Sequence, residues 1–395
     1  HTIQEIVDPR PSEPGSSADD RATAPNEERG GHEAPQNPEL AEVAELSKKG
    51  YQYLKENRVE DAEACFAKIV SKDGENNYAL VGLGDAARKR GAFREAVDHY
   101  KKCLVYHPGN NYALFGLADC YKALNQYQKA IEIWEQYLLH DNKNITVLTR
   151  VADAYRKVRD FRKSKAIYMR VLEMESNNPY ALIGLGHLHY DFKEYRDALG
   201  FWQKMVEIQG DSVDIRVLTS IGNCYRKLKQ FDMGVPYFEK ALAKEKGNFY
   251  ALFGLADCYR GVGKPDSSLD YWNQILEKDP RNKVILTRAG DAYRTMGKYD
   301  VAATYYQRAL DIEYDLYAML GLAILARMDA RYDEAIESLR KLISNDPKNY
   351  RLYIELSQCH QEAGDKQRAL EALVEFQRLG IRNAHIQDLV SQLSH

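Results

Sequence analysis

The chain of 395 residues contains no stretch of 18 or more uncharged apolar residues, so it offers no helix able to cross a bilayer. Its six cysteines (65, 103, 120, 224, 258, 359) form no CxxC and no paired spacing. That excludes a zinc ribbon or disulfide framework and favours a reducing compartment, the cytoplasm first. Neither sign of charge dominates. The formal net charge is −3; residues 1–40 hold nine acids and three bases, which leaves +3 on the remainder. A dedicated nucleic-acid binder would carry a far more basic domain, so no nucleic-acid partner is expected. The sequence begins at His1 rather than Met, so a removed leader or lipid anchor upstream stays open, and with it a periplasmic or envelope-associated location.

Catalytic and cofactor signatures are missing as well. In GVGKPDSS (261–268) the first glycine of a phosphate-binding GxxxxGK would fall on Cys258, and Pro265 stands where Ser or Thr is needed. GLGDAARKRG and GLGHLHY place their glycines inside expected helices with no strand before them, which excludes a dinucleotide fingerprint. His187 and His189 are two residues apart, on different sides of a helix, and cannot share a metal. No HExxH occurs. The expectation is a non-catalytic chain with no cofactor and no metal.

Proline is scarce too, twelve in all, and six of them lie in residues 1–40. That segment, with PSEPGSSADD and NEERGGHEAP, has almost no aliphatic side chains and cannot bury enough apolar surface to offset ordering entropy. It is read as a disordered acidic arm.

What the rest of the chain has is repetition. YALFGLADCYK (112–122) and YALFGLADCYR (250–260) agree at ten of eleven positions, 138 residues apart, which is four times 34 plus two. A 34-residue frame fits starts at 43, 77, 111, 145, 179, 215, 249, 283, 316 and 350, with Val213 and Asp214 as two extra residues and one residue missing before Leu316. Position 8 of this frame is Gly, Ala or Ser in every copy, and so is position 20. Small residues at both places let two helices approach closely. Position 24 is Phe, Tyr, Trp or Leu throughout and holds all three tryptophans. Positions 4, 7, 8 and 11 form one helical stripe, as in Leu114, Leu117, Ala118 and Tyr121. Gly91, Gly263, Gly297, Gly364, Asn57 and Asn125 share position 15, where a left-handed residue would end the first helix. Pro108, Pro280 and Pro347 share position 32, beyond the second helix. The pattern predicts helix–turn–helix units over 41–383 and an amphipathic capping helix over 384–394, which places Ile386, Leu389, Val390 and Leu393 on one face.

This pattern resembles the tetratricopeptide repeat family, whose period is 34 residues with small residues at positions 8 and 20. The resemblance implies an all-α fold, a right-handed α-solenoid superhelix of about ten hairpins whose first helices line a concave groove. It also implies a protein-interaction scaffold that holds an extended peptide or helix of another protein.

Positions 2, 5, 9 and 12 make a second stripe on each first helix, pointing away from the core stripe, and in proteins similar to this family it faces the groove. Its aromatic members are Tyr78, Tyr112, Tyr180, Tyr250, Phe115 and Phe253. Its polar members are Asp119, Asp153, Asp257 and Asp291, with Asn223, then Lys122, Arg156, Arg226, Arg260 and Arg294. Repeats four and eight replace the aromatics with LTR, which supplies Thr149 with Arg150 and Thr287 with Arg288. Aromatic and polar-basic rungs therefore alternate about every 68 residues. Asp at 9 and Arg or Lys at 12 are equally an i,i+3 pair, stabilising each helix by about 0.2–0.5 kcal/mol. Some members of the similar family hold a C-terminal carboxylate with Lys and Asn at positions 5 and 9; here position 9 is mostly Asp and position 5 has no base. Two further readings stay open: a structural or assembly element without a dedicated peptide ligand, and an acidic arm that occupies the basic rungs itself.

Overall fold

The computed structural model describes residues 38–394, so residues 1–37 of the expected arm lie outside the described residues. The first helix, Pro38–Lys55, takes in residues 38–40, which the composition of the sequence assigns to the arm. Proline suits a helix start, because the N–H it lacks would have no intrahelical partner there. Among the described residues there are 21 α-helices, one 3-10 turn at Gly210–Ser212 and no strand.

The chain divides into two units at residues 213 and 214. In the first unit five hairpins pair Pro38–Lys55 with Val59–Lys72, Asn77–Lys89 with Phe93–Tyr106, Asn111–Ala123 with Tyr127–His140, Ile145–Lys157 with Phe161–Met174, and Pro179–Asp191 with Tyr195–Gln209. In the second unit five more pair Ile215–Lys227 with Phe231–Lys244, Phe249–Gly261 with Pro265–Lys278, Lys283–Thr295 with Tyr299–Leu310, Leu316–Met328 with Tyr332–Asn345, and Tyr350–Glu362 with Lys366–Gln377. A last helix, Ala384–Ser394, packs on Lys366–Gln377 and buries Ile386.

Most hairpins are punctuated by the same chemistry. Asn76, Asn110, Asn144, Asn178, Asn248 and Asn282 cap the following helix, each side-chain oxygen accepting a backbone N–H at 2.9–3.2 Å. Asp315 does the same for Ala318 at 2.8 Å. Such caps stabilise a helix by about 1 kcal/mol each. At the other end, position 15 is left-handed in all ten hairpins: beside the four glycines and two asparagines, Arg159, Lys193, Lys229 and Ala330 have φ between 57° and 66°. A side chain there costs roughly 1–2 kcal/mol, which the hairpin's packing must outweigh.

The small residues at 8 and 20 touch. Ser164 and Ser268, both at position 20, donate their hydroxyls at 2.7 Å to the carbonyls of Ala152 and Ala256, both at position 8. The ring at position 24 then closes the hairpin. Tyr100 illustrates the fit: a Cβ added to Gly84, position 8 of its own hairpin, would stand 2.5 Å from the ring. A Cβ on Gly116, position 6 of the next hairpin, would stand 2.3 Å from it. Phe66, Phe238 and Tyr306 are clasped in the same way by Gly50 and Gly82, Gly222 and Gly254, and Gly290 and Gly321. Position 24 thus joins one hairpin to the next, and glycine at position 6 is the socket.

Candidate functional site

The four candidate tyrosines at position 2, Tyr78, Tyr112, Tyr180 and Tyr250, are 40–53% exposed, as is Tyr317 at the same position. They are the large side chains that the first-helix face presents to solvent. The polar stripe behind them is mostly engaged with itself.

In the first unit, Asp119 accepts from Arg88 Nη1 at 3.3 Å and from Arg150 Nη1 at 2.8 Å. The Arg150 guanidinium also lies 5.0 Å over the Phe115 ring, which meets Tyr137 edge-on at 6.3 Å. One carboxylate therefore ties together position 12 of the preceding hairpin and position 6 of the following one. Asp153 accepts from Arg156 Nε and Nη2 at 3.1 and 2.8 Å, and Arg156 reaches on to Asp191. Burial works against ionisation of Asp153, but Arg156 and Lys122 outweigh it and hold the carboxyl below its usual range. Asp85 accepts from the Tyr100 hydroxyl at 2.6 Å.

In the second unit the clamp is tighter. Arg226 donates from Nε and Nη2 to Asp257 Oδ2 at 3.0 and 2.7 Å, and from Nη1 to Asn223 Oδ1 at 2.7 Å. Arg260 donates to Asp257 Oδ1 at 2.9 and 2.7 Å. Burial pushes the Asp257 carboxyl up, but Arg226, Arg260 and Arg288 together hold it down at about 2. With both Asp257 oxygens taken, Arg288 makes no hydrogen bond or ion pair among the described residues, although Asp257 and Asp291 are near enough to attract it; burial lowers its pKa. Lys122 stands in the first unit where Arg260 stands in the second, and there Arg150 is bonded. Asp291 takes the Tyr306 hydroxyl at 2.7 Å, with Arg294 Nη2 at 3.5 Å.

Several candidate residues are turned into the fold rather than toward solvent. Phe253 is buried, its ring edge-on to Trp272 at 5.1 Å and covered by the Arg226 guanidinium at 5.5 Å. Its apolar surface is spent inside the hairpin. Thr149 and Thr287 turn their hydroxyls back onto the carbonyls of Ile145 and Lys283, one helical turn earlier, and Thr287 is buried. Asn223 and Arg226 are buried within the charge clamp.

The sequence analysis missed the role of position 6. Phe or Tyr at position 24 is followed by glycine sixteen residues later at 66 and 82, 100 and 116, 168 and 184, and 238 and 254; Trp134 and Trp272 are followed by Arg150 and Arg288. Tyr100 and Tyr306 also donate their hydroxyls to the position-9 carboxylates of their own hairpins, Asp85 and Asp291. The Nε1 groups of Trp134, Trp202 and Trp272 are buried without an acceptor. One metal-compatible cluster occurs among the described residues, His189, Glu194 and Asp197, with ligand atoms within 4.8 Å of one another. There Nδ1 of the buried imidazole already lies 2.6 Å from Glu194 Oε2.

Profiles described as Tetratricopeptide repeat match residues 48–104 and 287–350, 87–152 and 326–393, 145–178 and 215–243, and 250–282. No curated protein sequence matches. Among solved structures, MamA is 26% identical, with a TM-score of 0.40 over 44% of this chain and 93% of that one. YrrB, described as a TPR protein with an unusual peptide-binding site, is 20% identical with a TM-score of 0.43 over 47% and 95%. PilF of Pseudomonas aeruginosa is 15% identical with a TM-score of 0.46 over 54% and 97%.

Proposed function

The chain belongs to the tetratricopeptide repeat family, whose arrays are protein-interaction scaffolds, and from that premise we propose that it holds an extended segment of a partner protein against its first helices. The observation that carries this reading is the repeated, half-exposed tyrosine at position 2, set beside carboxylates and guanidinium groups that mostly satisfy one another. A face needing only solubility has no use for an aromatic in the same place on hairpin after hairpin, whereas tyrosine gives a peptide a wide apolar surface and a hydroxyl at little entropic cost. The Asp/Arg network then acts as a rigid floor. Its charges are neutralised in place, so that floor favours a partner segment with apolar or aromatic anchors over a highly charged one.

Changing Tyr78, Tyr112, Tyr180 and Tyr250 together to alanine should lower partner recovery by crosslinking in the native cell at least tenfold while the helical melt stays put. Recovery at the wild-type level would remove the groove reading. A second reading, assembly with other copies, is favoured by a separate feature: Val105 and Leu139 near the ends of second helices are 74% and 84% exposed. Under it, sedimentation would show a concentration-dependent oligomer that Leu139→Glu converts to monomer; a monomer at every concentration would exclude it.

A further inference from the structure

In the second unit the first helices of the last three hairpins, Lys283–Thr295, Leu316–Met328 and Tyr350–Glu362, leave between them a cavity of about 250 Å³. Its walls are built from the outward stripe together with position 6. Leu320, Ile324 and Ile354 supply the apolar surface, and Tyr317 stands over it half-exposed. Asp291 and Arg294 at one side are occupied with Tyr306 and each other.

Two groups on the tenth first helix keep unused hydrogen-bonding capacity among the described residues. Arg351 is exposed and has no hydrogen bond or ion pair among the described residues. Glu355, one turn further on the same helix face, has its buried Oε2 in an ion pair with Arg327 Nη2 at 3.6 Å, while the carboxylate makes no hydrogen bond among the described residues. Arg and Glu four residues apart on a helix ordinarily pair with each other, and these do not. The other Glu355 oxygen is therefore available as an acceptor at the cavity wall, on the same helix as the unpaired Arg351 donor.

An extended peptide carries what this wall lacks: at each residue a backbone N–H and, a few ångströms on, a carbonyl. We propose that the cavity is an anchor pocket for one uncharged apolar side chain of a bound peptide, Glu355 accepting that residue's N–H and Arg351 donating to its carbonyl. The inference rests on the groove reading and narrows it. A charged side chain is disfavoured from both directions, since a lysine would meet Arg294 and Arg351, and an acid would meet Asp291 and Glu355. The volume also lies under the roughly 300–1,000 Å³ of small-molecule sites, in keeping with a single side chain and its flanking main chain.

N-acetyl-leucine N-methylamide carries the side chain and both amides in the smallest form, and N-acetyl-glycine N-methylamide carries the amides alone. With the full chain labelled at isoleucine δ1 methyls, the leucine probe should shift Ile324 and Ile354 with a dissociation constant on the order of a millimolar. The glycine probe should leave them in place. Arg351→Ala, a change at an exposed residue with no hydrogen bond or ion pair to lose, should weaken the leucine probe at least threefold, and Glu355→Ala should do the same while the helical melt still reports a folded chain. Equal shifts from both probes, no shift at 20-fold that concentration, or undiminished binding in both variants would overturn the pocket. No partner protein enters this measurement, and Tyr317 is left intact in the four-tyrosine variant. Probe binding alongside undiminished partner recovery would therefore sink the groove reading alone, and the reverse result would sink the pocket alone.

Discussion

Asp257→Ala is expected to destabilise the second unit by about 3–5 kcal/mol, the scale seen when one partner of a buried ion pair is removed. Arg226 and Asp257 have side chains only 7% and 9% exposed, and the carboxylate meets Arg226 and Arg260 through four hydrogen bonds. Without it, the buried Arg226 guanidinium keeps the Asn223 hydrogen bond and the Phe253 ring but no counter-charge at hydrogen-bond distance, with Arg260 and Arg288 still close by. Asp119→Ala, at the matching place in the first unit, should cost less, about 1–2 kcal/mol, because its partners Arg88 and Arg150 are 23% and 28% exposed and water can reach them once the carboxylate is gone. Urea unfolding followed by far-UV circular dichroism and by the fluorescence of the nearby Trp272 measures both. A cost under about 1 kcal/mol for Asp257→Ala would place the clamp with ordinary solvated ion pairs.

The same carboxylate sets an acid limb. Its folded pKa of about 2 lies below the ordinary aspartate value of 3.8, so its contribution is complete above pH 4 and is lost as the pH falls through 2. The shift corresponds to about 2 kcal/mol across that window, and the part of the acid limb due to this residue should vanish in Asp257→Asn.

The sequence revealed the hairpins through residues whose role is local. Gly or Asn at 15, proline at 32 and small residues at 8 and 20 act within one 34-residue unit, so a single period exposes them. Contacts between units were harder to see. Position 24 was recognisable as a packing knob because it is always large, but its socket at position 6 varies, with Gly82, Gly116, Gly184, Gly254 and Gly321 against Arg150, Ser220, Arg288 and Glu355, so no single residue type marks it. The candidate site shows the same limit. Helical spacing placed Tyr112 and Tyr250 on the solvent face, yet it gave Phe253 the same standing as Phe115, although one is buried and the other half-buried. Which guanidinium group secures Asp257, and which is left over, depends on the number of donors converging on two oxygens. No residue pattern along one helix carries that information.

Gly116→Val tests the joint between hairpins, and its expected cost is also about 3–5 kcal/mol. The Tyr100 ring is fully buried, and its hydroxyl is held by Asp85 at 2.6 Å. A Cβ on Gly116 would stand 2.3 Å from Cζ and 2.6 Å from the hydroxyl oxygen, so either the ring leaves its place or the helices separate. Overpacking of this kind costs roughly 1–3 kcal/mol, and breaking a hydrogen bond to a charged acceptor adds about 1.5–3 kcal/mol. Replacing glycine inside a helix returns only a few tenths of a kcal/mol through propensity, too little to change the sign. If the joint is the contact between this ring and this glycine, shortening the ring should relieve the clash. Tyr100→Leu places at position 24 the residue that hairpins nine and ten already have there, Leu339 and Leu373. The double variant should then be at least about 1 kcal/mol more stable than the two single changes predict when added. Strict additivity would mean that ring and glycine act independently, and the stacking of one hairpin on the next would need another cause.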